Sequence, residues 1–303
     1  MADHSDTVTR LRRLLLDPLV AAVVYPIYIA FALLPVGLAS ALGGRLGRLV
    51  GMLAPGLTRR ALRNIERALP ELPPERHRAI VRGMWDNLGR SLAEHPHIDR
   101  LWEDTRAGRI EMIGGEHLRA LAAKEKHPSL IVAGHIANWE LFPSTGARHG
   151  LAMTLVYRRP NNPFIDHLMT GRRRAGDGYF VPKGQESARA MVKTLVTGGA
   201  IAMLIDQKFN DGIPVPFFGR PAMTAPSLAQ LALRYKCPVL VARAERLGGA
   251  RFRITITPPE LVPDSGDREA DILAYMTRIN ALLESWIRER PEQWLWLHNR
   301  WPD

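Results

Sequence analysis

The stretch at residues 129–140, SLIVAGHIANWE, decides the fold. Its uninterrupted apolar run, at residues 130–133, predicts a β-strand that is buried on both faces, as in the parallel sheets of α/β proteins. Gly134 permits the tight backbone turn that ends such a strand. Because His135 follows at once, the sequence places an imidazole at the carboxyl edge of a sheet, where open α/β folds bind their ligands.

A carboxylate, Glu140, lies five positions after His135. Five residues of a regular helix turn through about 500°, so the two side chains would not share a helix face. They can meet only if His135 lies on the turn before the helix and Glu140 lies in its first turn. The imidazole could then take a proton from a hydroxyl while the carboxylate fixes its tautomer. The alternative is a histidine with a purely structural hydrogen bond.

The composition limits the size of the fold and the kind of partner. A chain of 303 residues suffices for one large α/β domain with an appendage, or for two small domains. Its 41 lysines and arginines against 30 aspartates and glutamates give a net charge of +11. This charge favours an anionic partner: nucleic acid, an anionic membrane surface or an acidic protein. A basic surface that serves only solubility is the alternative.

Several classes of enzyme lose their main support. The single cysteine, Cys237, excludes a disulfide framework and a cysteine-based zinc site, and it fits a reducing compartment. The patterns HExxH, Walker A, GxGxxG and GxSxG do not occur in the sequence, which argues against zincins, P-loop proteins, dinucleotide-binding folds and serine hydrolases.

The N-terminal region is basic and then apolar. Residues 1–18 are interpreted as a basic tail, and residues 19–42 carry no charge. At about 1.5 Å per residue a helix of that length could cross a bilayer, so the sequence predicts a transmembrane or membrane-anchoring helix followed by a catalytic domain at residues 43–303. A signal peptide and a buried core helix are the alternatives. Arginines are more numerous after this segment than before it, which favours a cytoplasmic catalytic domain.

A basic amphipathic helix is predicted at residues 58–72, which read TRRALRNIERALPEL. Its apolar positions keep helical spacing while four arginines cover the other face. Such a helix could lie on anionic lipid, or it could be an ordinary packing helix with a solvated charged face.

Alternating strands and helices follow in the rest of the chain. Strands are predicted at residues 110–113, 130–133, 154–157, 200–205, 239–244 and 252–257. Three of them end on polar groups: His135 with Glu140, Arg158 with Arg159, and Asp206 with Gln207.

If these three strands lie in one sheet, their carboxyl ends form one rim and their polar groups form one site. A base, a cationic clamp and an acid–amide pair suit attack by a hydroxyl on an acyl carbon of an anionic substrate. Because no serine or cysteine stands in a nucleophile setting, direct transfer is favoured over an acyl-enzyme intermediate.

Six motifs are spread along the chain: RRALRNIERALPEL at residues 59–72, MWDNLGRSLAE at 84–94, GHIANWEL at 134–141, VYRRPNNP at 156–163, IDQKFNDGIPVPFFGRPAMT at 205–224 and PEQWLWLHNRW at 291–301. In these motifs the sequence resembles a known family, the bacterial lipid A late acyltransferases, which include the lauroyl and myristoyl transferases. The resemblance covers nearly the whole chain.

The resemblance implies a fold and a set of site residues. The fold is an α/β protein with a mixed sheet flanked by helices, like that of glycerolipid acyltransferases, with an N-terminal membrane helix. The family's catalytic histidine–acid pair corresponds to His135 and Glu140. The substrate-binding residues it implies, with the choice between the two arginines open, are Asn138, Arg158 or Arg159, Asp206 and Gln207.

The implied function is transfer of a fatty acyl chain from acyl carrier protein, as co-substrate, to a hydroxyl of a lipid A precursor. No further cofactor and no metal are expected. The implied partners are acyl carrier protein, the lipid A precursor and anionic membrane lipids, and the implied location is the bacterial inner membrane with the catalytic domain facing the cytoplasm.

Two other functions are considered. One is acylation of a different glycolipid, such as a phosphatidylinositol mannoside, by the same chemistry. The other is a basic, membrane-tethered nucleic-acid-binding protein, which would need basic and aromatic residues interleaved on a strand platform. The basic residues lie mostly on predicted helices and at strand ends, so no nucleic-acid partner is expected.

Overall fold

A computed structural model describes residues 16–104, 108–171 and 178–301 of the chain. It begins with a helical layer. The helices of this layer are α1 (Asp17–Leu33), α2 (Val36–Leu53), α3 (Pro55–Ala68), α4 (Pro74–Glu94) and the short α5 (Ile98–Glu103). Prolines stand in the first turn of α1, α3 and α4, where their fixed φ favours a helix and no backbone donor is lost.

A seven-stranded sheet forms the centre of the protein, in the order β1-β9-β8-β2-β5-β3-β4. Its strands are β1 (Ile110–Ile113), β2 (Ser129–Ala133), β3 (Met153–Tyr157), β4 (Tyr179–Pro182), β5 (Ala200–Leu204), β8 (Val239–Gly248) and β9 (Arg251–Ile256). Strands β8, β2, β5, β3 and β4 are parallel neighbours, whereas β9 runs antiparallel to β8 and parallel to β1. The predicted mixed sheet is therefore confirmed, and every residue of β2 is buried.

The remaining helices connect and flank these strands. They are α6 (Gly115–Ala122), α7 (Phe142–Arg148), α8 (Pro163–Thr170), α9 (Gln185–Val196), α10 (Ser227–Tyr235) and α11 (Arg268–Glu289). A separate antiparallel ribbon, β6 (Ile213–Phe217) with β7 (Arg220–Thr224), lies between β5 and α10, where no strand is predicted from the sequence. The ribbon is not predicted because both strands contain proline, which argues against a strand in a sequence pattern. Proline is excluded from central strands but is tolerated in edge strands such as these.

The prediction of an N-terminal membrane helix over residues 19–42 is wrong. The chain leaves the helical conformation at Leu34 and begins a second helix after Pro35, so the uncharged run is divided between α1 and α2. With 17 residues α1 rises about 25 Å, less than the roughly 30 Å of a hydrocarbon core. None of the helices within the described ranges is long and apolar enough to cross a membrane.

Helix α2 packs against α4 through glycines. A Cβ atom at Gly43 or Gly47 would overlap the backbone of α4 at Gly89 or Trp85, so only glycine allows this close approach. The boundary predicted between residues 42 and 43 therefore falls inside a helix that packs directly against α4. Most of the predicted basic tail, residues 1–15, lies outside the described residues.

Candidate active site

The predicted rim of polar groups is present at the carboxyl ends of β2, β5 and β3. These three strands are adjacent and parallel, with β5 in the middle. Residues that follow β2 and β5 therefore meet directly. His135 follows β2, and Asp206 and Gln207 follow β5, so the structure joins groups that are 71 positions apart in the chain.

His135 is held by Asp206. The imidazole Nδ1 lies 2.7 Å from Asp206 Oδ1, and the His135 backbone N–H donates to Asp206 Oδ2, also at 2.7 Å. Asp206 Oδ2 accepts a third hydrogen bond from Trp294 Nε1 at 2.7 Å. The carboxylate is buried, with 2 % of its side chain exposed, so these donors replace its hydration.

These contacts fix the charge of Asp206. Burial alone would raise the pKa of this carboxyl group, but the charge of His135 and the hydrogen bonds from His135 and Trp294 lower its pKa well below the usual range. An ionised carboxylate can only accept, so the shared proton belongs to His135 Nδ1. In the neutral imidazole the Nε2 atom of His135 then carries the lone pair, as a general base requires.

A second histidine, His298, faces the same nitrogen through Gln207. The Gln207 side-chain nitrogen lies 3.0 Å from His135 Nε2 and 2.8 Å from His298 Nε2. Burial lowers the pKa of His298 to about 4, with contributions from the charges of His135 and Arg158. His298 is therefore neutral near pH 7, and the Gln207 amide can donate one hydrogen bond to each imidazole.

The predicted partner of His135 in sequence, Glu140, lies elsewhere in the site. It belongs to a short 3₁₀ turn, Trp139–Leu141, and accepts a hydrogen bond from the Trp139 indole at 3.1 Å. In the described part of the chain, hydrogen bonds and ion pairs do not join Glu140 to His135, whose Nδ1 is occupied by Asp206. A role for Glu140 in catalysis stays a prediction.

Asn138 supports the loop from behind. Its side chain is fully buried and donates to Glu94 Oε2 at 2.9 Å. Glu94 is itself buried and paired with Arg246, whose Nη2 lies 3.0 Å from Glu94 Oε2, and it accepts from Ser40 on α2 at 2.6 Å. The loop also contains Ala137 in the left-handed region, at φ 52°. The structure therefore places Asn138 in a buried network that holds the loop, and its predicted contact with substrate stays a prediction.

The two candidate arginines differ in their partners. Arg159 is paired with Asp166 of α8 at 3.2 Å, and its pKa is raised by a hydrogen bond with Tyr157 and by the charges of Tyr157 and Asp166. Arg158 is exposed and, within the described ranges, makes no hydrogen bond or ion pair. Its charge reaches His298, whose pKa it helps to lower. Arg158 is thus the cation available to a ligand.

An apolar cavity of about 90 Å³, here called the sheet cavity, opens beside these groups. Side chains of β2, β3 and β5 form its walls, and Trp139, Glu140 and Tyr157 line it. The Trp139 ring lies 5.1 Å from the His135 ring between centroids. Trp139 therefore stands between the cavity and the imidazole of His135.

Two residues of the site were not predicted as site residues. Trp294 and His298 come from the C-terminal segment, which joins the His135 loop through an isolated bridge between Ile136 and Trp294. Asn64 of α3 donates to the carbonyl oxygens of Trp296 and His298, both at 2.8 Å, and so holds this segment in place. The aromatic and basic tail was visible in the sequence, but no local pattern links it to His135.

A mixed α/β sheet that presents a carboxylate-held imidazole near an apolar cavity is an arrangement suited to general-base chemistry on a substrate with a hydrocarbon part. Comparisons with known proteins give the class more closely. Residues 9–303 match the family described as bacterial lipid A biosynthesis acyltransferase. Because this match covers nearly the whole chain, the chain belongs to that family of acyl-transferring enzymes.

Named relatives from Escherichia coli (strain K12) agree with this assignment. The chain is 30 % identical over 272 residues to the lipid A biosynthesis lauroyltransferase, covering 84 % of each chain. It is 28 % identical over 271 residues to the palmitoleoyltransferase, covering 86 % of this chain and 83 % of the relative. It is 24 % identical over 256 residues to the myristoyltransferase, covering 84 % and 77 %.

Proposed function

We propose that this protein transfers a fatty acyl chain from the thioester of acyl carrier protein directly to a hydroxyl of a lipid A precursor. The observation that carries the proposal is the imidazole of His135, whose Nδ1 is held by Asp206 at 2.7 Å and whose ring lies 5.1 Å, between centroids, from the Trp139 ring in the wall of the sheet cavity. The family and the names of the relatives, which refer to lipid A biosynthesis, support lipid A as the acceptor.

The proposed reaction needs only one proton carrier. His135 Nε2 takes the proton of the acceptor hydroxyl while its oxygen attacks the thioester carbonyl carbon. The new C–O bond forms, the C–S bond breaks, and the leaving thiolate receives the proton from the imidazolium. Asp206 stabilises the imidazolium, as a buried carboxylate does in catalytic triads. In this proposal, the acceptor hydroxyl replaces Gln207 at His135 Nε2, and the side-chain N–H groups of Gln207 donate hydrogen bonds to the oxyanion that develops on the thioester carbonyl oxygen.

The two substrates make different demands that the site can meet. A fatty acyl chain has no polar group, which matches the apolar walls of the sheet cavity. The phosphates of a lipid A precursor and of the phosphopantetheine arm are anionic, which suits the unpaired guanidinium of Arg158. Acyl carrier protein is acidic, so the net charge of +11 favours its encounter with this chain.

We also propose that the protein works at the cytoplasmic face of the bacterial inner membrane. Apolar side chains on α1 and α2 are exposed, for example Leu19 at 63 %, Val23 at 58 % and Met52 at 72 %. Exposed arginines on α3, among them Arg59 and Arg63, can attract anionic lipids at about 1 kcal/mol each. Apolar contact and basic charge together are typical of proteins that rest on a membrane surface.

The test is a substrate panel read by mass. Purified protein is incubated with acyl carrier proteins of several chain lengths and with a tetra-acylated lipid A precursor. The expected product is the precursor plus one acyl chain, together with free acyl carrier protein. A matched reaction uses a phosphatidylinositol mannoside as acceptor. Acylation of the mannoside alone, or of neither lipid under conditions where the protein is folded, would refute the proposed acceptor.

A further inference from the structure

A second apolar cavity lies in the helical layer, between α1, α2, α4 and α8. We call it the helix cavity. Its volume is about 280 Å³, roughly twice that of the ~150 Å³ engineered apolar cavity that stays dry and binds benzene. Strand residues do not line it, so it is separate from the sheet cavity. The proposed chemistry with acyl carrier protein makes no use of it.

The walls of the helix cavity accept hydrocarbon and little else. Most lining side chains are aliphatic or aromatic, such as Ile27, Val50 and Leu168. Its polar lining groups are already engaged: the Tyr28 hydroxyl lies 3.1 Å from His95 Nδ1, and the Trp85 indole donates to Thr58 at 3.0 Å. A sugar, a phosphate or a peptide would lose its hydration there without gaining partners. An acyl chain loses nothing.

The cavity opens towards the exposed apolar surface. Ile27 on α1 and Leu46 and Val50 on α2 line it, yet their side chains are 45 %, 43 % and 43 % exposed. The same residues therefore belong to the wall of the cavity and to the surface that we assign to the membrane. A lipid chain could enter without crossing a polar barrier.

Helix α8, which forms part of the cavity wall, is bonded to the cationic loop after β3. Ile165 of α8 lines the cavity, and its neighbour Asp166 is bound by Tyr157 at 3.1 Å and by Arg159 at 3.2 Å. Tyr157 also lines the sheet cavity. The segment from Tyr157 to Ile165, which carries the exposed Arg158, therefore contributes one lining residue to each apolar cavity. An enzyme with a lipid donor chain and a lipid acceptor needs two such places.

We propose that the helix cavity holds an acyl chain already present on the acceptor lipid, with an anionic group of that lipid at Arg158. This inference rests on the proposed function for the identity of the lipid, and on the cavity itself for the binding of the chain. Charge complementarity selects the occupant: a single molecule must offer a hydrocarbon chain to the cavity and a negative charge to the loop.

Trp85 in the cavity wall gives a binding signal that does not depend on transfer. The probe is an anionic single-chain phospholipid with bromine atoms on its chain, used with the full chain below the critical micelle concentration. Bromine quenches tryptophan on contact, and the part of the quenching that is lost in Trp85→Phe reports the helix cavity. Quenching is expected to saturate, and it should weaken when a neutral headgroup replaces the anionic one.

Two matched pairs of variants separate the cavity from the surrounding surface. Val24→Phe fills the cavity from α1, while Val23→Phe changes an exposed neighbour that does not line it. Val50→Phe and Leu49→Phe form the equivalent pair on α2. The filled variants should bind the probe about tenfold or more weakly, and the neighbours should bind like wild type.

The outcomes are distinct from those of the transfer assay. Equal probe binding in the filled and neighbour variants, or quenching that is undiminished in Trp85→Phe, would overturn the inference even if lipid A is acylated. Loss of binding only in the filled variants would support the cavity even if lipid A is not the acceptor. If one filled variant fails to fold, the pair on the other helix decides.

Discussion

Replacing Asp206 by asparagine tests the link between the geometry and the chemistry. Two donors, the His135 backbone N–H and the Trp294 indole, point at Oδ2, each at 2.7 Å. The asparagine oxygen must accept from them, so its NH₂ group takes the place of Oδ1 and faces His135 Nδ1. The imidazole must then accept at Nδ1 and carry its proton on Nε2. The lone pair that should deprotonate the hydroxyl is lost.

The expected loss is large and confined to turnover. An analogous asparagine in a serine protease triad lowers kcat about 10⁴-fold through the wrong tautomer, which corresponds to about 5 kcal/mol of activation free energy. Because the Asp206 side chain is 2 % exposed, substrate can hardly touch it and KM should change little. The assay is the single-turnover rate of acyl transfer at saturating donor and acceptor, with folding checked by thermal unfolding.

Glu140→Gln serves as the comparison. Glu140 does not share a hydrogen bond with His135 in the described structure, so its loss should be much smaller than that of Asp206→Asn. A folded Asp206→Asn variant within about tenfold of wild type would refute the assignment of Asp206. If Glu140→Gln instead lost about 10⁴-fold while Asp206→Asn stayed active, the pair predicted from the sequence would be the working one.

The remaining predictions concern binding, stability and pH. Arg158→Lys should weaken acceptor binding about ten- to a hundredfold and change the salt dependence of that binding. Arg159→Lys should do neither, because Arg159 is paired with Asp166. Equal effects of the two variants in binding titrations at several salt concentrations would contradict the choice of Arg158 as the ligand-binding arginine. Glu94→Gln leaves the charge of buried Arg246 uncompensated and should lower the free energy of unfolding, measured with urea, by about 3–5 kcal/mol. The control is Glu289→Gln, which removes an exposed partner of Arg243 and should lower it by at most about 1 kcal/mol. The pKa of His298 is lowered from 6.5 to about 4, so at a pH between these values the unfolded chain binds more protons at this histidine than the folded protein does. The free energy of unfolding should therefore fall as the pH drops from 6.5 to about 4. His298→Asn should reduce this fall, and an unchanged slope would contradict the prediction.

The sheet and the rim could be predicted because each rests on a local pattern. The uninterrupted apolar run before Gly134 and the similar run before Asp206 are the strands that the structure shows as β2 and β5. Their carboxyl ends meet because parallel neighbours share an edge. The partner of His135 could not be found in the same way. Asp206 lies beside His135 because β5 is the neighbour of β2 in the sheet, and the spacing of residues in the sequence does not predict the order of strands.

The N-terminal error has a related cause. A count of uncharged residues sees 24 positions from 19 to 42, but it does not see that Pro35 begins a new helix or that Gly43 and Gly47 pack against α4. The C-terminal contribution was missed for another reason. His298 and Trp294 reach the site because the tail bridges back to Ile136, which is far from it in the sequence.

The central claim is that His135 is the general base of direct acyl transfer, and His135→Ala tests it most directly. The measurement is the mass of the lipid product and of the intact protein during a single turnover with acyl carrier protein thioester and the lipid A precursor. We predict a loss of about a hundredfold to ten-thousandfold for a folded variant, and no acylated form of the wild-type protein. Transfer by His135→Ala within about twofold of wild type, or a wild-type protein that gains the mass of the acyl chain before the lipid does, would contradict the claim.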